Sequence, residues 1–377
     1  MVSLRDLLAE MVERGASDLH LTAGVPPQFR VDGVLDASGH DPLDPETCEK
    51  LVYSILRDDQ KKRFENEHEL DLSFGIKSLA RFRANVFSQR GVTTGAIRMI
   101  PFGIMTVEEL GLPKAVRDFA DSPNGLVLVT GPTGSGKSTT LAGLIDKINE
   151  ERSCHIITIE DPIEYVHQHK RAIVNQREIG SDTNSFPQAL KYVLRQDPDV
   201  ILIGEMRDLE TIQAALTIAE TGHLVFATLH TNSTYEAINR IVDVFPTNQQ
   251  KQVFSQLAFV LRGIVTQQLV PRRGGHGRIN ISEVLVCTPA MSALIREGKS
   301  HQIYSLMQAG AKYGMMTMNQ ALFQAFQSRK IILDEALSRS SDVQELESIL
   351  MKADPTYRPR HQVFGRGVGT EARRKAS

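Results

Sequence analysis

Leu126-Val127-Leu128-Val129-Thr130-Gly131-Pro132-Thr133-Gly134-Ser135-Gly136-Lys137-Ser138-Thr139 is the stretch from which the rest of the chain is read. A short apolar run enters a turn that fits GxxxxGK(S/T) at every fixed position, and a helical pattern follows over residues 138–150. The glycines let the backbone curl so that successive N–H groups point at phosphate oxygens, and the helix start adds its dipole. Lys137 reaches the β and γ phosphates, and the Ser138 hydroxyl is placed to ligate Mg²⁺. With a strand before it and a helix after it, this is more than a chance glycine-rich turn. The expected ligand is a nucleoside triphosphate.

Three more apolar runs follow, at residues 156–159, 200–203 and 224–227. Each is too short for a helix and lacks polar alternation, as in strands buried on both faces of a parallel sheet. Helical patterns at 186–195 and 209–220 separate them, so the core is predicted to be α/β and doubly wound. In such sheets ligands sit beyond the carboxyl ends of the strands. The first run continues into Glu160-Asp161-Pro162-Ile163-Glu164, the second into Gly204-Glu205-Met206-Arg207-Asp208, and the third into Thr228-Leu229-His230-Thr231. Glu205, directly after a buried strand, suits the Mg²⁺ hydration shell. Glu160 and Glu164 can orient and deprotonate an attacking water, and His230 can sense the γ-phosphate. The competing reading of each acid is a solvated loop carboxylate or a helix cap, and that of His230 is a surface histidine.

The 377 residues suggest two or three domains, and 41% hydrophobic with 23% charged residues is ordinary globular usage. With 43 basic and 45 acidic side chains, bulk charge does not favour coating nucleic acid. No apolar run reaches the 18 residues or so of a membrane span, and the N-terminus lacks secretory-signal features. Cys48, Cys154 and Cys287 are too far apart for a disulfide framework or a CxxC zinc site. A reduced, cytoplasmic protein is expected.

Residues 1–100 read as an α+β domain. Leu4, Leu7, Leu8, Met11 and Val12 recur at helical spacing before Gly15. Strand patterns follow at 18–22, 28–31 and, past an Asp32-Gly33 turn, 34–35; a helix is predicted at 46–56 and further strands at 70–74, 81–88 and 93–100. Pro101-Phe102-Gly103 is the expected exit linker. Beyond Pro246 one long helix is predicted over 249–269, then a hairpin around Arg273-Gly274-Gly275-His276-Gly277 with its second strand at 279–286. Helical patterns continue to about 351, and from Asp354 six basic residues against two acids suggest a mobile tail.

Taken together, the glycine-rich loop, Ile157 through Tyr165, Asp197 through Asp208, and Thr221-Gly222-His223 through Thr231 resemble the Walker A, Asp box, Walker B and His box of the secretion-superfamily ATPases. Within that superfamily the chain is most similar to type IV pilus retraction ATPases of the PilT type, and Gly15-Ala16-Ser17-Asp18-Leu19-His20-Leu21 is similar to the start of their N-terminal domain. The chain has neither the length nor the four zinc-binding cysteines of extension and type II secretion ATPases. Leu294-Ile295-Arg296-Glu297-Gly298-Lys299 resembles a retraction-associated AIRAGK motif, departing from it at Leu294 and Glu297.

The resemblance implies a RecA-like P-loop ATPase core with a PAS-like α+β domain before it and a helical C-terminal region after it. The expected divisions are 1–100, a linker at 101–112, an ATPase domain at 113–288, helices at 289–353 and a tail at 354–377. It implies ATP and Mg²⁺ as cofactors, Glu164 as catalytic base, Glu205 in support of Mg²⁺, and a homohexamer at the cytoplasmic face of the inner membrane. Association with the membrane would run only through partners, above all a pilus platform protein, with no nucleic acid involved. Arg81, Arg83 and Arg98, on strands of the first domain, are candidates to reach a neighbouring protomer's nucleotide, with a surface strand arginine as the competing reading. The alternatives are an extension or secretion ATPase, an accessory retraction paralogue, and a slow nucleotide-switched assembly scaffold.

Overall fold

The computed structural model describes residues 2–31, 33–77, 79–100, 103–275 and 277–359. Asp32 of the predicted turn, Pro101 and Phe102 of the predicted linker, His276 of the predicted hairpin turn, and residues 360–377 of the basic tail lie outside them. The chain forms two compact units. One comprises the described residues up to Ile104 with two later excursions, Glu160–Gln168 and Gln176–Asn184; the other comprises Met105–Ile159, His169–Asn175 and the described residues from Ser185 onward.

The first unit is an antiparallel sheet with three helices. Its elements are α1 (Leu4–Glu13), β1 (Asp18–Leu21), β2 (Gln28–Val31), β3 (Val34–Ala37), α2 (Pro45–Tyr53), α3 (Asp58–Glu67), β4 (Glu69–Ile76), β5 (Ala80–Gln89) and β6 (Val92–Ile100), with strand order β3-β2-β1-β6-β5-β4. Alternation along the strands buries Leu19, Phe29, Phe82, Val86 and Ile97 against Leu7, Leu8, Met11 and Leu51 of the helices. Each such side chain contributes about 1.5–3 kcal/mol on burial. Polar residues align across the strands: Arg30 opposite Asp18, Asp18 opposite Arg98, Arg98 opposite Arg83, and Arg83 opposite Ser73. The helix α3 has no counterpart in the sequence reading, because Asp-Asp-Gln-Lys-Lys-Arg-Phe-Glu-Asn-Glu buries only Phe64 and so carries no apolar period.

The second sheet and its helices comprise α4 (Lys114–Asp118), β7 (Gly125–Thr130), α5 (Lys137–Glu151), β8 (His155–Glu160), β9 (Ile173–Glu178), α6 (Phe186–Val193), β10 (Val200–Ile203), α7 (Leu209–Glu220), β11 (Leu224–Leu229) and α8 (Thr234–Asp243), with Glu160 and the end of β9 from Gln176 grouped with the first unit. The chain continues with α9 (Thr247–Val260), β12 (Leu261–Pro271), β13 (Arg278–Val286), α10 (Pro289–Arg296), α11 (Ser300–Ala309), α12 (Met318–Gln327), α13 (Leu333–Arg339) and α14 (Val343–Ala353). The sheet order is β13-β12-β7-β11-β10-β8-β9. The four predicted apolar runs are β7, β11, β10 and β8, which pair in parallel with one another. Every residue of β7, β10 and β11 is buried, which is why these strands read as continuous apolar runs. No helix among the described residues is long and apolar enough to cross a membrane.

The helix predicted over 249–269 is corrected. It ends at Val260, and Leu261-Arg262-Gly263-Ile264-Val265-Thr266 starts a strand that pairs with both β7 and β13. Tertiary packing decides this: a side chain at Gly263 would place its Cβ 2.0 Å from Phe119 Cζ, so only a bare backbone can pass there.

Glu283 of β13 joins an earlier helix, α8, to a later one, α12. Its buried carboxylate accepts from the Thr234 amide (2.7 Å) and the Met318 amide (3.1 Å), at the first residues of α8 and α12. Burial pushes this carboxyl above its ordinary 4.5, outweighing the hydrogen bonds that pull it down. A carboxyl raised by folding lends stability below its unfolded pKa, and that stability is lost as pH rises through the folded value. Glu283→Gln keeps an acceptor oxygen but cannot titrate. Melting curves from about pH 4 to pH 8 are therefore expected to decline less steeply above pH 4.5 in the variant. An unchanged slope would place the titrating group elsewhere.

Candidate nucleotide site

The phosphate cradle grows from β7. Gly131 has φ 140°, and a Cβ there would meet the Gln267 carbonyl oxygen at 2.4 Å and Ser135 Oγ at 2.7 Å. Gly136, at φ 88°, caps α5 and offers no side-chain acceptor. By contrast α6, α7 and α8 are capped by Ser185, Asp208 and Ser233. A helix that opens on glycines without a side-chain cap is the arrangement that receives phosphate. Lys137 Nζ lies over the loop, donating to the carbonyls of Gly131 (2.9 Å) and Pro132 (3.1 Å).

Two buried polar atoms of the loop region have no protein partner, Ser135 Oγ and Gln267 Oε1. An orphaned hydroxyl in a cradle of glycines fits a ligand rich in acceptor oxygens. Gln267 also braces the loop from behind, its Nε2 donating to the Ser135 carbonyl at 3.0 Å. Beside it the Thr266 and Thr130 hydroxyls bond at 2.6 Å. Gln267 went unnoticed in the sequence because it fell inside the stretch read as helix.

The ends of β7, β11 and β10 lie side by side, Leu229 opposite Thr130 and Ala227 opposite Ile203. They carry the cradle, His230 and Glu205 respectively. His230 Nε2 is 3.2 Å from Glu205 Oε1, and the Arg207 guanidinium is 2.6 Å from Glu205 Oε2. Burial pushes the Glu205 carboxyl up, but the Arg207 hydrogen bond and the His230 and Arg207 charges outweigh it and hold it below its ordinary range. It is therefore ionised at neutral pH, the state a carboxylate needs to serve a cation. Among the described residues no three His, Cys, Asp or Glu side chains gather as metal ligands. A Mg²⁺ bound mainly by substrate phosphates and water needs only one hydroxyl and one carboxylate, which Ser138 and Glu205 supply in kind. His223 takes the bland role of a helix-end cap, with Nδ1 3.1 Å from the Ile218 carbonyl of α7.

The other candidates belong to the first unit. Glu160 accepts from Gln176 Nε2 (3.1 Å), which also donates to the Tyr165 carbonyl (2.8 Å). Glu164 is exposed. Arg81 donates to Ser73 Oγ (2.9 Å) and to Glu178 (3.2 Å), Arg83 lies 3.7 Å from Asp71, and Arg98 donates to Asp18 (2.8 Å). The structure thus gathers the cradle, Glu205 and His230 in one unit, and Glu160, Glu164 and the three arginines in the other. Glu178, buried beneath the Asp box, was not singled out; a lone acid at the end of a polar strand gives no local signal.

A glycine-rich cradle at the head of a parallel sheet, with a carboxylate and a histidine on neighbouring strand ends, defines a P-loop ATPase. Residues 2–338 match the type II/IV secretion system protein family, and the chain belongs to it. It is 49% identical over 321 residues to the type IV pilus retraction ATPase PilT of Pseudomonas aeruginosa, covering 85% of this chain and 93% of that one. Against the type IV pilus ATPase PilU of the same organism it is 43% identical over 344 residues, covering 91% and 90%. A crystal structure of the pilus retraction motor PilT with bound ADP superposes with a TM-score of 0.88 at 50% identity, covering 92% of this chain and all of that one.

Proposed function

We propose that this chain is the ATP-hydrolysing motor of type IV pilus retraction, acting as a homohexamer at the cytoplasmic face of the inner membrane on a pilus platform protein. The observation that carries the reading is the intact cradle with Glu205 and His230 on adjoining strand ends, in a chain 49% identical to a retraction ATPase. Lys137 and the amides of the loop hold the phosphates; Ser138 and Glu205 would hold a Mg²⁺, which when bound would supply positive charge against the developing phosphate charge. Glu164 takes a proton from the attacking water as oxygen bonds to the γ-phosphorus. The bond to the β,γ-bridging oxygen breaks, leaving ADP and phosphate. Arg81, Arg83 or Arg98 of a neighbouring protomer adds the cation that a P-loop site lacks for its transition state. Successive closure of such interfaces around the ring drives the platform, and pilins return to the membrane.

The test is pilus number and retraction in cells lacking the chain, complemented with wild type or with Glu164→Gln. Abundant pili that fail to retract, restored to normal by wild type and not by the variant, are expected. Bald cells would assign the chain to extension or secretion and overturn the proposal. A second reading, an accessory retraction ATPase, is favoured by one observation: the PilU match spans 91% of this chain against 85% for PilT. Under that reading the deletion strain would still retract by a second motor.

A further inference from the structure

The Asp box is encoded between two strands of the ATPase sheet, yet its contacts place Glu160–Gln168 with the N-terminal sheet. One side chain ties it there. Glu178, the last residue of β9, is 3% exposed, and its carboxylate gathers four donors. Oε2 accepts from the Ile163 amide (3.1 Å) and from Arg81 (3.2 Å), and Oε1 accepts from Ser73 Oγ (2.5 Å) and Ser181 Oγ (3.3 Å). Ser73 and Arg81 lie on the neighbouring strands β4 and β5. The Glu178 amide in turn donates to Asp182 Oδ2 (2.8 Å), which fixes the turn that follows.

We propose that Glu178 is a positioning residue for hydrolysis, clamping the backbone next to Glu164 onto the N-terminal sheet so that the catalytic base is carried by that unit. The inference rests on the assignment of Glu164 as base. Ile163 precedes Glu164, so the clamp acts one Cα–Cα step, about 3.8 Å, from the residue it serves. Glu164 is itself exposed, and its placement follows from the backbone that Glu178 holds. Removal of the carboxylate strands the buried Ile163 N–H and leaves the half-buried Arg81 guanidinium with Ser73 alone, and the loop must shift to re-solvate the amide. A displacement of about 1 Å at a catalytic group costs on the order of 100-fold in rate. The cradle lies in the other unit and does not depend on this contact.

Glu178→Ala is therefore expected to lower kcat about 100-fold, while titration of the full-length chain with a fluorescent ADP analogue gives an affinity within about threefold of wild type. Hydrogen exchange should quicken in the peptide covering 160–168 and stay unchanged in 200–205. Glu178→Gln should restore most of kcat, because its oxygen can serve Ile163 and Arg81 while its NH₂ donates to the two serine hydroxyls, which can turn to accept. A merely structural role would lower kcat and nucleotide affinity together, and that result would overturn the proposal. So would an unaltered kcat in Glu178→Ala beside an inactive Glu164→Gln. Full turnover in Glu164→Gln would instead remove the base assignment itself, so the two failures are distinguishable.

Discussion

Glu164→Gln is expected to bind nucleotide as tightly as the wild type and to turn it over about 1,000-fold more slowly. The substitution conserves size and removes only the capacity to accept a proton. On the proposed function, binding belongs to the loop at Gly131 through Thr139 and its brace Gln267, all in the second unit, whereas Glu164 belongs to the first. Affinity and turnover should therefore separate cleanly. Glu160→Gln makes the internal comparison. Its carboxylate is already engaged by Gln176 Nε2, while Glu164 is open to solvent and to an incoming water. Phosphate release under saturating ATP, measured beside fluorescent-nucleotide titration, compares the two variants. A deeper loss in Glu160→Gln than in Glu164→Gln would move the base to Glu160. A parallel loss of affinity in Glu164→Gln would make it a binding residue.

The two halves of this active-site assignment were unequally legible. The cradle could be read because its chemistry fixes residue types at fixed spacing, and because strands buried on both faces concentrate apolar residues into short runs such as Val200–Ile203. The N-terminal sheet could be read for the opposite reason: one face is polar, so Phe82, Ala84 and Val86 alternate with Arg81, Arg83 and Asn85. Period-two spacing put Arg81 and Arg83 on one face, and strand register then set Arg98 opposite Arg83. What failed to show were features whose cause lies far along the chain. The helix α9 gives way to β12 at Leu261 because β7 and β13 take up its backbone and Phe119 occupies the space beside Gly263. Glu178 works through Ser73 and Arg81, roughly a hundred residues earlier, and Gln267 works through Ser135, 132 residues earlier. No local pattern carries such a partner. The polar helix α3 and the largely polar strand β9 were missed for want of an apolar period.

The Gly131 position puts that long-range dependence to a quantitative test. Gly131→Ala is expected to weaken nucleotide binding at least about 100-fold and to destabilise the chain by on the order of 2–5 kcal/mol. Two causes add. At φ 140° an L side chain is strained wherever it points, and here the Cβ would sit 2.4 Å from the Gln267 carbonyl oxygen, a backbone atom that cannot swing away. It would also press Ser135 Oγ at 2.7 Å, displacing the buried hydroxyl that has no protein partner. Gly134 supplies the control within the same loop. It too is left-handed, at φ 77°, but nothing lies within 4 Å of its Cβ, so Gly134→Ala bears only the conformational cost of about 1–2 kcal/mol. Its affinity should therefore fall by no more than about tenfold. Equal losses at the two glycines would mean that backbone conformation alone governs the cradle. A selective loss at Gly131 would mean that the strand carrying Gln267 shapes the phosphate site as much as the loop does. Shortening Gln267 to Ala in the Gly131→Ala chain would then leave the clash in place, because the obstructing atom is the Gln267 backbone carbonyl and not its side chain.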